Sequence, residues 1–384
     1  MSELNLPKGF RAAGISAGIK NSGAKDLALI VNDGPQLFGT AVFTTNKVEA
    51  APVTWSRAAI ADGIVSAVIL NSGGANACTG SDGFLDTHKT AEVVAEQLGH
   101  NASDVVVCST GLIGVRLPMN LLLSGVVAAT SALSPNSGLA AAEAIMTTDS
   151  HAKTYVGGHS GVNIFGMAKG AGMLAPSLAT MLSVILVDAI VDSSMARRVF
   201  ADVVSRTYNR IDSDGCTSTN DTVLFMASGA SGVELSEAQL HKMLMECCTN
   251  LSQQLIGDAE GHSKTVSIIV KNAASEADAV AVGRACARNN LLKCALHGED
   301  PNWGRVLAAV GTVDAEFDPY QIDVALNGVW VCRGSSPGDD RSNVDLSAKS
   351  IEIIIDLHAG NSDATIWTND LTAMYVHENS SYAS

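Results

Sequence analysis

The stretch GMAKGAGMLAPSLATML, residues 166–182, decides how the rest of the chain is read. It carries one charge, Lys169, among small residues, and runs into the apolar, β-branched segment Met181–Val187. Three readings compete for it. Gly170–Ala175 matches G-x-G-x-x-A, the fingerprint of a dinucleotide-binding loop. That loop needs a strand before it and a long helix after it, so that a helix N-terminus meets the pyrophosphate. Here Pro176 and TMLSVILV follow, a turn and then a strand, which makes a nucleotide-binding module a distant alternative. The second reading is a Gly-rich turn feeding a core strand, with Thr180 one more good strand former. In the third, Thr180 attacks the carbonyl of Ala179, and cleavage of the chain exposes the α-amine of Thr180. A free α-amine has a pKa near ~7.7–8.0 and can take the hydroxyl proton without a histidine. Composition and spacing leave these three open.

Outward from this stretch, short apolar runs predict strands at Leu27–Val31, Ala41–Thr45, Ala67–Leu70, Val105–Cys108, Met181–Val187, Thr222–Met226, Thr265–Val270, Ile322–Leu326, Val329–Cys332 and Ile351–Leu357. Several have the unbroken apolar composition of strands buried on both faces. Helical spacing occurs over residues 84–98 and 193–207. Ser236 with Gln239 makes a capping box before a helix to about Asp258, and Ser275 with Asp278 opens another through about Ala287. The alternation is irregular, so the fold class is α+β, built in layers, and not a repeating βαβ array. Residues 333–344 read as the clearest loop, and a second lobe begins near residue 265.

Composition narrows the function. The chain has 384 residues, is 47% hydrophobic and 16% charged, and has 24 Lys and Arg against 39 Asp and Glu, a net charge of −15. Such a field repels phosphate backbones and anionic lipid, so neither nucleic acid nor membrane is an expected partner. The 8 cysteines form no CxxC pair, and the start of the chain lacks a signal-peptide pattern. Both features suit a cytoplasmic protein without a disulfide framework or zinc ribbon. His297, Glu299 and Asp300 lack the spacing of a metal site, and Cys108 reads as a packing thiol.

The blocks ILNSGGANACTG (69–80), CSTGLIG (108–114), IMTTD (145–149), MAKGAGMLAPSLATML (167–182), DSDGCTSTND (212–221), DAEG (258–261), HGEDPNWGR (297–305) and ENSSYAS (378–384) resemble the ornithine acetyltransferase family of arginine biosynthesis, in its bifunctional, actinobacterial form. KGFRAAGISAGIK (8–20) extends the likeness to nearly the whole chain. The resemblance implies a layered αββα sandwich of the N-terminal nucleophile type with a smaller C-terminal α/β lobe. It implies self-cleavage between Ala179 and Thr180, giving an α chain of 1–179 and a β chain of 180–384 that stay associated as α2β2 or larger, with the lobe at about 265–384 inside the β chain. Thr180 is then the nucleophile that carries the acetyl group, Thr110 and Gly111 form the oxyanion hole, and Thr147, Lys169, Thr180, Glu260, Asn379 and Ser384 contact substrate.

The implied reaction moves acetyl from N2-acetyl-L-ornithine to L-glutamate by a ping-pong route, with acetyl-CoA as a second donor and no metal or cofactor. A monofunctional paralogue, or an amidohydrolase with the same nucleophile, would share these motifs. Each site residue also has a plainer reading. Thr110–Gly111 is an ordinary strand-end turn, and Thr147 has Thr148 beside it. Glu260 stands four before Lys264, the spacing of a helical ion pair. Asn379 and Ser384 belong to a tail that ordinarily frays.

Overall fold

The structure, a computed structural model, describes residues 4–174 and 181–381. Nine strands build its first part: β1 (Phe10–Ile15), β2 (Leu27–Asn32), β3 (Phe38–Phe43), β4 (Ala67–Ser72), β5 (Val105–Thr110), β6 (Lys153–His159), β7 (Val162–Lys169), β8 (Leu182–Val187) and β9 (Thr222–Ala227). They form two sheets, ordered β1-β2-β4-β5 and β3-β9-β8-β7-β6.

Period-2 alternation explains how the sheets stack. In β2, Ala28 and Ile30 face the second sheet, while Leu27, Leu29 and Val31 pack on the helices Gly80–Leu98 and Met119–Ser131. In β9, Leu224 and Met226 face the first sheet, and Val223 and Phe225 meet the helices Ser193–Arg206 and Glu237–Gly257. Both faces of these strands are thus buried, as their continuous apolar runs require. The result is the four-layer αββα sandwich that the resemblance implied. The parallel pairs β4–β5 and β8–β9 are joined by the crossover helices Gly80–Leu98 and Ser193–Arg206.

A third sheet comprises β10 (Thr265–Ala273), β11 (Asp323–Leu326), β12 (Val329–Arg333), β13 (Ser336–Pro337), β14 (Ser350–Asp356) and β15 (Ser362–Asn369), in the order β13-β12-β11-β14-β10-β15. Helices Glu276–Ala287, Asn290–His297 and Trp303–Val310 cover one of its faces. The capping box at Ser236 and Gln239 is present, and Ser275 accepts the N–H of Asp278.

The sequence reading missed one strand here: residues 166–169 are the end of β7, whose apolar run is interrupted by Gly166 and Lys169. Gly166 is needed there because a Cβ would lie 2.6 Å from the Cys247 sulfur of the overlying helix. The dinucleotide loop also fails. β7 and β8 are antiparallel neighbours from Ile164↔Val187 to Lys169↔Leu182, so the chain doubles back within one sheet instead of entering a long helix. Ala175 itself lies outside the described residues.

Phe165 is fully buried between the two sheets. Phe165→Ala should therefore cost about 3–5 kcal/mol through lost burial and the cavity it leaves. A clear drop in the urea unfolding midpoint is the expected result.

Candidate active site

The two sheets deliver their strand ends to one place. Thr110 is the last residue of β5 and Lys169 the last of β7, and both are fully buried. Lys169 Nζ lies 3.1 Å from Thr110 Oγ1. An ammonium can only donate, so the Thr110 hydroxyl accepts here and keeps its own proton to give elsewhere. Gly111 turns the chain immediately after, at φ +132°, where a Cβ would come within 2.5 Å of the Gly74 nitrogen. The Gly73 and Gly74 N–H groups donate to the Thr110 carbonyl at 2.9 and 3.0 Å, holding the turn.

These residues open onto a cleft lined by Thr110, Gly111, Thr147, Thr148, Lys169, Gly172, Met173, Glu260 and Asn379. Six positions nominated from sequence thus meet in one cavity. Ala179, Thr180 and Ser384 lie outside the described residues. Glu260 follows the helix that ends at Gly257, and it is not the helical partner of Lys264, which pairs with Glu299 at 2.8 Å. Instead Thr148 Oγ1 donates to Glu260 Oε1 at 2.8 Å. Gly172 faces the same carboxylate so closely that a Cβ would lie 2.6 Å from it. Asn379 does not sit in a frayed tail but on the helix Ala373–Ser381. That helix docks on Gly261, where a Cβ would lie 2.3 Å from the Tyr375 nitrogen.

The electrostatics rest on residues that the sequence reading did not single out. Asp149 accepts the N–H of Thr147 at 2.9 Å, the N–H of Gly170 at 2.7 Å and the ammonium of Lys153 at 2.6 Å. Lys153 also reaches Asp258 at 2.6 Å. Burial would raise the Asp149 pKa, but the charges of Lys169 and Lys153 and the hydrogen bonds outweigh it and hold the carboxyl at about 2. Burial pulls Lys169 down, with Asp149 and Asp221 acting against it. Burial pushes the Asp221 carboxyl well above the usual range, against the Met181 N–H and the Lys169 charge. Asp149 stands at the end of the TTD block and Asp258 begins DAEG, so the signal was in motifs already noted. Cys108 is buried and its thiol is pushed up to about 12 by burial, the state of an inert packing group. His297 bonds Asp370 at 2.9 Å.

The fold and cleft define an α+β enzyme scaffold with a hydroxyl, a buried ammonium and a carboxylate around one cavity. The chain belongs to the ArgJ family, which it matches over residues 11–384. It is 57% identical to the arginine biosynthesis bifunctional protein ArgJ of Thermobifida fusca over 381 residues, which is 99% of this chain and 100% of the relative. It is 58% identical to the protein of the same name from Streptomyces coelicolor over 381 residues, again 99% of this chain and 100% of the relative. Among solved structures it is similar to an ornithine acetyltransferase of Mycobacterium tuberculosis, crystallised with ornithine. That chain is 50% identical, with 46% of this chain and 95% of that one covered and a TM-score of 0.43.

The depressed Asp149 pKa has a stability consequence. A carboxyl held at about 2 in the folded state and at 3.8 otherwise contributes stability that is full above pH ~5 and lost as pH falls from about 4 towards 2. Asp149→Asn should lower stability by roughly 2–3 kcal/mol at neutral pH. The gap to wild type should narrow below pH ~4, which thermal melts across that range would check.

Proposed function

We propose that this protein is a glutamate N-acetyltransferase that moves the acetyl group of N2-acetyl-L-ornithine to L-glutamate, with Thr180 as nucleophile. The observation that carries the reading is the single cleft joining Thr110, Gly111, Thr147, Lys169, Glu260 and Asn379.

Self-cleavage comes first. The Thr180 hydroxyl attacks the Ala179 carbonyl, the peptide C–N bond breaks as an ester forms, and water hydrolyses that ester. A chain of 1–179 and a chain of 180–384 result. The sheet supports their staying together, because β7 and β8 lie on opposite sides of the cut and pair along six residues each, while β3, before the cut, pairs with β9. Assembly as α2β2 or larger completes the proposal.

In acetyl transfer the Thr180 oxygen attacks the acetyl carbonyl and its proton passes to the Thr180 α-amine, whose pKa near ~7.7–8.0 suits a base at neutral pH. The tetrahedral oxyanion is met by the Thr110 hydroxyl, which Lys169 polarises, and by the Gly111 N–H. The acetyl C–N bond breaks, the proton returns to the departing α-amine, and ornithine leaves an acetyl ester on Thr180. The α-amine of glutamate attacks that ester by the same route in reverse. One amide is exchanged for another, so the transfer is close to thermoneutral and draws on no nucleotide. The Glu260 carboxylate, fixed by Thr148, suits the ornithine side-chain ammonium. Acetyl-CoA serves as a second acetyl donor, as the bifunctional name of the relatives suggests. Eight free cysteines suit a reducing cytoplasm.

Purified protein should form N-acetylglutamate from acetylornithine and glutamate with one ornithine released per acetyl moved, and also from acetyl-CoA and glutamate without acetylornithine. Release of acetate in step with ornithine would instead mark an amidohydrolase. Thr110→Ala removes one oxyanion donor and should lower kcat about 10²–10³-fold while KM moves little.

A further inference from the structure

The loop 212–221 is a motif block that the proposed mechanism does not use, and its last two residues hold the two halves of the site. Asn220 reaches the oxyanion turn: its Nδ2 donates to the Ala75 carbonyl at 2.6 Å and to the Ser109 carbonyl at 2.9 Å. Ser109 precedes Thr110, and Ala75 follows the Gly73–Gly74 turn against which Gly111 packs. Asn220 is itself held by the Thr219 hydroxyl, which donates to its Oδ1 at 2.6 Å.

Asp221 reaches the other half. Its Oδ1 accepts the N–H of Met181 at 2.9 Å, and that nitrogen is the one joining Met181 to Thr180. The next residue, Thr222, donates its N–H to the Met181 carbonyl at 3.1 Å. Met181 is therefore gripped at its nitrogen and its carbonyl by consecutive residues of one strand start. Asp221 is fully buried, and Ser218 as well as Met181 lies against its carboxyl. A carboxyl at this depth is costly, and a surface role cannot explain it. A neutral strand residue at this position would preserve the β8–β9 ladder, so the side chain serves something besides sheet pairing.

We propose that Asp221 is a positioning residue for the nucleophile: by anchoring the Met181 nitrogen beside the Asn220 brace of the oxyanion turn, it sets the backbone to which Thr180 is joined, for both self-cleavage and acetyl transfer. This rests on the reading of Thr180 as nucleophile. Misplacing a reacting group by about 1 Å can cost 10²-fold in rate, so one lost anchor is enough to matter.

The test compares Asp221→Ala, Asp221→Asn and Thr180→Ala with wild type, each expressed as the whole chain. Denaturing mass spectrometry reads the fraction cleaved, steady-state kinetics read acetyl exchange, and calorimetry reads the affinity for ornithine. Asp221→Ala, which has no acceptor, should slow cleavage and lower kcat at least tenfold while ornithine binds within about threefold of wild type. Asp221→Asn keeps an acceptor oxygen for the Met181 N–H and should recover most of both rates. The proposal is overturned if Asp221→Ala is cut and turns over like wild type. It is equally overturned if Asp221→Asn is as impaired as Asp221→Ala, or if ornithine binding in Asp221→Ala falls in parallel with kcat, which would make the residue a general support of the fold. Thr180→Ala separates the role of Thr180 from that of Asp221. If that variant is still cleaved or active, the nucleophile assignment fails; if it is whole and inactive while Asp221→Ala behaves as wild type, only the role of Asp221 fails.

Discussion

The hydrogen bond from Lys169 to Thr110 joins the ends of two strands that belong to different sheets, and it places a cation at a buried position beside the cleft. An isolated ammonium at such depth would shed its proton or unfold its surroundings. Asp149 prevents this by bringing a charge of opposite sign to the same spot, and it is in turn held by Lys153, Thr147 and Gly170. The same carboxylate therefore balances the buried charge and fixes the backbone of two segments that line the cleft. Removing one partner of such a network strands the others, which is why the cluster behaves as a unit.

Much of the fold could be read from the chain because its central strands are buried on both faces. Leu27–Val31, Met181–Val187 and Thr222–Met226 are runs that only a doubly covered sheet accommodates. β6 and β7 were harder to see, because Gly157, Gly158, Gly166 and Lys169 interrupt their apolar pattern for reasons that lie in other elements. Gly166 is set by the helix Glu237–Gly257 and Lys169 by Asp149, and neither neighbour is visible locally in sequence.

The site shows the same division. Single residues such as Thr110, Lys169 and Glu260 carry plain alternatives in sequence, and only motif resemblance raised them above those. Their meeting in one cleft is a tertiary fact, produced by β5 and β7 ending side by side and by the helix Ala373–Ser381 folding back onto Gly261. Asp149, Asp258 and Asn220 stood inside blocks already noted, yet their tasks depend on partners far along the chain. The loop 212–221 is dense in Ser, Thr, Asn and Asp, the composition of turns that hydrogen-bond their own backbone. It spends those side chains on neighbouring segments as well.

The account turns on Thr180 carrying the acetyl group on a chain that begins with it. The most direct measurement is the intact mass of the denatured protein after brief exposure to N2-acetyl-L-ornithine alone, without glutamate. Two species corresponding to residues 1–179 and 180–384 are predicted, with one acetyl group on the second and its site mapped to Thr180. A single uncut chain that still transfers acetyl, or an acetyl group mapped to any other side chain, would contradict the account.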